Sequence, residues 1–338
     1  MPPILGEVSS RSRHYHALAD YACTRKGAHI FFFLERRIIY GGQLIGSTDF
    51  GSFYINGPYS PLGKEARAEV YWDESKRSLY ESTNQKGVFK VPDIGERCQP
   101  YLIRFEDKLG LKGRAILSDQ LYFKLGKYGY PLPSNTISGM SFCTLTPGET
   151  EIALSLLTEH PKDRFEPKSG EELFIEGEPV PFNPKYGIQN LCEAFKRGFF
   201  KSEAHLESTI LANPSLLPEE VRPPKGATIC RQIPVCPFKP FQLDRADICY
   251  YTENRIKEGT IPNILIELKN NVSTVKDIDQ IVRYLEWLDL IIEKEALEVT
   301  AYLLAPSFSY TQESIPEKHR QRIYLVELGA EESNQIKL

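Results

Sequence analysis

Apolar positions in the second half of the chain fall into two periods. Residues 232–235, 246–251, 263–269, 299–305 and 323–328 are runs of strand length, rich in Ile, Val, Leu and Tyr. Between the third and fourth of them, residues 275–294 carry Ile278, Ile281, Val282, Leu285, Leu288 and Ile292 on one stripe, the mark of an amphipathic helix. A further helix is expected over 186–211, with Ser202 as the N-cap of its last part and Pro214 marking its end. Helix, antiparallel strands, a crossover helix and closing strands predict an α/β domain built on a mixed sheet.

The first half reads as strand-rich. Strands are expected at 29–34 and 38–40, joined by a turn at Glu35-Arg36-Arg37, and at 67–72, 88–91, 101–105 and 142–145. Gly41-Gly42 inside a strand signal suggests a bulge or sharp bend. Helices are expected at 15–23, 117–125 and 149–157. A glycine-headed strand, a polar turn and a second strand carrying Ile-x-Gly are similar to the PUA-like barrels of EVE, YTH and ASCH domains. An unrelated β-rich accessory domain would give the same pattern. Residues 160–185 alternate proline with glutamate and fit neither period, as an interdomain linker does. The expected division is therefore a β-rich recognition domain over 1–159, a linker over 160–185, and an α/β domain over 186–338.

Composition narrows the class. The formal charge of −4 over 338 residues is unlike that of a DNA-coating protein, so nucleic-acid contact must come from local basic patches. The 7 cysteines are scattered without a CxxC pair, which favours reduced core thiols over a zinc site or disulfide frame. No apolar run is long enough to span a bilayer and no signal-peptide stretch opens the chain, so a cytoplasmic protein without membrane contact is expected.

The chemistry concentrates in three blocks: Asp244-Arg245-Ala246-Asp247, then Ile266-Glu267-Leu268-Lys269, then Gln280 to Trp287. Alternate residues of a strand share a face, so Glu267 and Lys269 project together while Leu268 turns into the core. Two carboxylates on adjacent strands can hold a hard divalent cation, and a nearby ammonium can orient or help deprotonate an attacking water. Gln280 and Tyr284 are four apart on one helix and so are surface neighbours.

This ordered series, with Glu203 to Glu207 and Asn213-Pro214 before it, resembles the PD-(D/E)xK nuclease superfamily and within it the RecB-like nuclease domain of the NucS/EndoMS family. The resemblance covers about Lys185 to Leu328. It implies a restriction-endonuclease-like mixed sheet flanked by helices, with Mg²⁺ or Mn²⁺ held by Asp247 and Glu267 and helped by the Leu268 carbonyl and Glu203. It also implies catalytic roles for Asp247, Glu267, Lys269 and Gln280, and DNA contacts by Arg245 and Tyr284. The chain departs from the pattern in the long hairpin loop from Thr252 to Pro262, in Asn270-Asn271 after the lysine, and in its first half, so mismatch specificity does not carry over.

Each residue also has a plainer reading. Asp247 could be a satisfied strand-end aspartate, Lys269, Gln280 and Glu203 solvated surface groups, and Arg245 a partner of a neighbouring carboxylate. Phe53, Tyr54, Tyr59 and Trp72 could stack on a base, although core packing is the commoner fate of aromatics. Arg11, Arg13, Arg25, Lys26, Arg36 and Arg37 are candidates for tracking phosphates. The expectation is a Mg²⁺- or Mn²⁺-dependent DNA endonuclease directed to modified or distorted DNA, as in restriction or defence. Rivals are a mismatch or branched-DNA repair nuclease and a catalytically silent nucleic-acid-binding protein. RNA remains open as a substrate, and a homodimer is compatible with the reading.

Overall fold

The computed structural model describes residues 7–46, 49–54, 89–91, 95–97, 101–126, 142–159, 164–166, 200, 202–236, 244–252, 261–292, 299–330 and 336–337. Helix α1 (Glu7–Cys23) opens the described chain. Strand β1 (His29–Leu34) and β2 (Arg37–Leu44) form a hairpin, and Glu35 and Arg36 at its turn take positive φ of 51° and 59°. Both central residues of a tight two-residue hairpin turn are left-handed when the turn follows the twist of its strands. Gly42, with φ of 157°, lies against the backbone of Glu106. A Cβ there would stand 2.6 Å from the Glu106 carbonyl oxygen, so only glycine permits the approach.

Short strands follow: β3 (Ser52–Tyr54), β4 (Phe89–Val91), β5 (Gly95–Arg97), β6 (Tyr101–Ile103), β7 (Phe105–Glu106) and β8 (Ala115–Leu117). Strands β1, β2, β7 and β8 make one antiparallel sheet, and β3 pairs with β6 and β4 with β5. Ile38, Tyr40 and Ile116 of this sheet pack on α2 (Ser118–Leu125) and α3 (Pro147–Glu159) through Leu121, Leu125, Ala153, Leu156 and Leu157. The strand expected at 142–145 is not formed. That segment is irregular because it leads directly into α3, where Thr146 N–H donates to Glu149 Oε2 at 2.7 Å and Glu149 N–H donates back to Thr146 Oγ1 at 3.2 Å. The strand expected at 67–72 lies outside the described residues.

The second half matches its predicted order. Helix α4 (Glu203–Ala212) starts where Ser202 Oγ accepts from His205 N–H at 3.2 Å and stops before Pro214. The first part of the helix expected at 186–211 lies outside the described residues, except Phe200, which has no helical backbone. Strands β9 (Thr228–Cys236), β10 (Asp244–Tyr251), β11 (Ile264–Leu268), β12 (Thr300–Ala305) and β13 (Ile323–Glu327) form one sheet in the order β13-β12-β11-β10-β9. Pairing is antiparallel from β9 to β11 and parallel from β11 to β13. The change of direction is made by α5 (Val275–Ile291), the crossover that a parallel pair requires.

Two cores cover the two faces of this sheet. Ile278, Ile281, Tyr284, Leu285 and Leu288 of α5 pack on Cys249, Leu265, Ala301, Leu303 and Ile323. On the other face, Leu206, Ile210 and Leu211 of α4 meet Ile248, Tyr250, Ile266, Leu268 and Leu304. Tyr15, Leu18, Ala19 and Ala22 of α1 belong to that same core. The fold is thus α/β, a mixed sheet flanked by helices, and one flanking helix comes from the extreme N-terminal part of the described chain. No helix among the described residues is long and apolar enough to cross a membrane.

Candidate metal and catalytic site

The register of β10 on β11 pairs Ile248 with Ile266, and one step further places Asp247 across from Glu267. Cross-strand neighbours of this kind have Cβ atoms about 4.5–5.5 Å apart, and two like charges so placed repel. Glu267 is 3% exposed. Its Oε1 accepts from Lys269 Nζ at 2.7 Å and from Gln280 Nε2 at 2.8 Å, while Oε2 is buried without a hydrogen-bond partner among the described residues. Burial pushes the Glu267 carboxyl up to about 7, against the pull of the Lys269 ammonium.

Asp247, half-buried, is held at both oxygens. Oδ1 accepts from Gln232 Nε2 at 2.9 Å and Oδ2 from the Leu268 backbone N–H at 2.8 Å. Burial raises its pKa well above the usual carboxylate value, and the charges of Glu267 and Glu207 add to the rise. Lys269 keeps its proton firmly: burial works against the charge, but Glu267, Glu203 and Asp247 together outweigh it and raise the ammonium's pKa. The ammonium is thus held as a hydrogen-bond donor and positive charge beside Glu267 and Glu203.

On α5, Gln280 Nε2 also donates to Tyr284 Oη, and Tyr284 Oη donates to the Arg245 carbonyl at 3.1 Å. These bonds fix which end of the Gln280 amide faces Glu267. Tyr284 itself is fully buried among Ile281, Leu285 and Leu288. The expected phosphate contact of Tyr284 is replaced by an internal one, because the residue lies on the apolar stripe of its helix. Arg245 is half-buried, and burial lowers its pKa. Glu203 stands apart from the other two carboxylates at the N-terminus of α4, half exposed, with Oε1 3.7 Å from Lys269 Nζ.

The donor set fits a hard dication. A buried carboxylate oxygen left bare is costly, and a cation shared with the opposing carboxylate would both satisfy it and cancel the repulsion. Among the described residues no three His, Cys, Asp or Glu side chains gather at one point. Asp247 and Glu267 would therefore be the side-chain ligands, with backbone oxygen or water completing the shell, as suits Mg²⁺, which keeps several waters.

No family model matches the chain, and no curated protein matches it. Among solved structures, the crystal structure of a repair endonuclease from Pyrococcus abyssi is similar at 19% identity over 39% of this chain and 49% of that one, with a TM-score of 0.26. The matched part spans about half of that protein.

The sequence pattern did not reveal a second layer. Arg231, 4% exposed, donates from Nε and Nη2 to Glu207 at 2.9 and 2.7 Å and also pairs with Asp20 of α1. Gln232 Nε2 lies 3.4 Å from Glu207 Oε1 as well as 2.9 Å from Asp247. The signals were present as charged residues inside apolar elements: Arg231 within β9, and Glu207 one turn after Glu203. Charges so placed are rarely buried without partners. Of the basic candidates in the first half, Arg25 is built in, its guanidinium over the Phe50 ring and bonded to the Ala22 carbonyl, and Arg36 pairs with Asp119. Phe53 and Tyr54 lie in β3, and Tyr59 and Trp72 lie outside the described residues.

Proposed function

We propose that this chain is a metal-dependent nuclease that hydrolyses phosphodiester bonds in DNA, with its active site at Asp247, Glu267, Lys269 and Gln280. The observation that carries this reading is the buried Glu267 carboxylate, bonded through one oxygen to Lys269 and Gln280 and without a hydrogen-bond partner at the other among the described residues, on the strand paired with that of Asp247. Most buried side-chain oxygens have a hydrogen-bond partner, so a bare one favours a site for an external cation. Bound Mg²⁺ or Mn²⁺ would supply Lewis-acid stabilisation of charge developing on the phosphate and would acidify water.

The protein's own part is positional. Gln280, locked by Tyr284, orients Glu267. Lys269 offers N–H donors to a water or a phosphate oxygen beside the two carboxylates, in a site sheltered enough for that charge to count. Glu203, within ion-pair reach of the same ammonium, steadies the lysine.

We further read the first half as the element that directs cleavage to modified or distorted DNA, a role supported by its strand-rich sequence and its basic and aromatic residues. The test is cleavage by the full chain with Mg²⁺ or Mn²⁺ of matched unmodified, base-modified, mismatched and branched DNA, with single-stranded RNA as a further arm. Metal-dependent scission of any DNA supports the nuclease reading, and preference among the duplexes identifies the directing feature. No cleavage of any substrate with either metal would count against an enzyme.

A further inference from the structure

Three non-glycine residues among those described take left-handed backbone: Glu35 and Arg36, which make a hairpin turn, and Gln232, with φ of 52°. No turn accounts for Gln232. It lies inside β9, and its neighbours Arg231 and Ile233 pair in register with Ile248 and Ala246. Left-handed backbone is unfavourable for an L-residue with a side chain and persists where the surroundings impose it. Here they do, through the strand pairing on both sides and the Arg231 guanidinium clamped by Glu207 and Asp20.

The strain coincides with the contact that Gln232 makes. Its Nε2 donates to Asp247 Oδ1 at 2.9 Å, with Glu207 Oε1 on the same nitrogen at 3.4 Å. The Leu268 N–H holds the other oxygen of Asp247. The carboxylate is therefore fixed by one donor from the strand on each side, and each oxygen keeps a lone pair.

We propose that Gln232 is a positioning residue, its left-handed backbone aiming the side-chain amide so that Asp247 is pre-set for a divalent cation. This rests on the metal-dependent reading above. Partners that orient a ligand carry a substantial part of a site's affinity, and their loss typically costs about 10–100-fold in metal binding.

Gln232→Gly separates strain from function, because glycine accepts this φ freely and removes the amide. Mn²⁺ binding to the full chain is read from the electron paramagnetic resonance signal of free Mn²⁺, and melting temperature is read on the same metal-free samples. The Gly variant should melt at or above wild type yet bind Mn²⁺ about tenfold more weakly or worse. Gln232→Met, which keeps the strain and the side-chain length, should bind equally poorly and melt no higher than wild type. Wild-type Mn²⁺ affinity in either variant overturns the proposal. So does a Gly variant that loses both melting temperature and affinity, because that marks Gln232 as structural support. Failure of the wild-type chain to bind Mn²⁺ overturns the metal-dependent reading itself, a result distinct from the others.

Discussion

Lys269 Nζ lies 2.7 Å from Glu267 Oε1, and Glu267 Oε2 has no hydrogen-bond partner among the described residues. Lysine and glutamate two apart on a strand are a common solvated pair, but here the glutamate is buried and its second oxygen has no donor among the described residues. One oxygen of the carboxylate is thus paired with the chain's own cation, while the other has no hydrogen-bond partner among the described residues. On the proposed metal-dependent reading, Glu267→Ala and Asp247→Ala should each lower cleavage by at least ~100-fold, since each would remove a hard oxygen ligand worth several kcal/mol of charge stabilisation. Circular dichroism on both variants checks that the sheet survives. Full activity in either folded variant would remove the assigned site.

Lys269→Ala should act on the chemical step. The ammonium is held by Glu267 and Glu203 and is a fixed donor, so its loss should lower kcat by roughly 10²–10³-fold while KM changes little, in keeping with the loss of one aimed donor. Single-turnover kinetics under saturating Mg²⁺ measure this. A rise in KM at unchanged kcat would instead make Lys269 a phosphate contact.

Much of this site was legible in the sequence because its rules are local. Strand alternation places Glu267 beside Lys269, helical spacing places Gln280 beside Tyr284, and the order of the blocks sets the sheet. Tyr284 shows where the local rule needed one more step: it lies three after Ile281 and four before Leu288, on the apolar stripe, so burial was the better expectation. The Asp20–Arg231 contact joins residues 211 apart, and Gln232 turns on a backbone angle that glutamine does not announce. Neither follows from periodicity. The apolar spacing of Tyr15, Leu18, Ala19 and Ala22 marks a buried helix face, but not that the face lies on the second-half sheet.

The raised Glu267 carboxyl sets a pH dependence. Between its ordinary value of 4.5 and about 7, the folded chain keeps a proton that the unfolded chain has released. This group's contribution to stability therefore falls as pH rises through that window and is level above it. Glu267→Gln does not titrate, so the metal-free variant should gain on wild type from pH 4.5 to 7, by on the order of 3 kcal/mol. Melting curves of both proteins in chelator at several pH values test the trend. Excess Mn²⁺ should raise the wild-type melting temperature more at pH 8 than at pH 5.5 and should move the variant little, because the cation competes with that proton. A constant difference between the two metal-free proteins across this range would contradict the assignment.

Arg231 ties two carboxylates on two helices to the sheet. Arg231→Met would leave Glu207 and Asp20 facing each other without their cation, and breaking a buried pair in this way costs about 3–5 kcal/mol. Adding Glu207→Gln and Asp20→Asn removes the stranded charges and should recover most of the loss. Urea unfolding of the single and triple variants measures both. A single variant within ~0.5 kcal/mol of wild type would show the cluster to be energetically idle.

The proline- and glutamate-rich stretch at 160–185 should be the first site of limited proteolysis, yet the cut should not release the first half. Tyr15, Leu18, Ala19 and Ala22 are buried in the same core as Leu206, Ile210 and Ile266, and Asp20 is paired with Arg231. Burial of Leu18 alone contributes about 1.5–3 kcal/mol, and the buried ion pair is screened by salt far less than an exposed one. The nicked protein should therefore run as two bands on a denaturing gel and as one species on a sizing column. Residues 186–338 expressed alone should expose the surface that α1 covers, bind a hydrophobic dye and melt well below the full chain. A fragment 186–338 that is monomeric, dye-negative and as stable as the full chain would show that α1 only rests on this domain, and the site would then have to be complete without it.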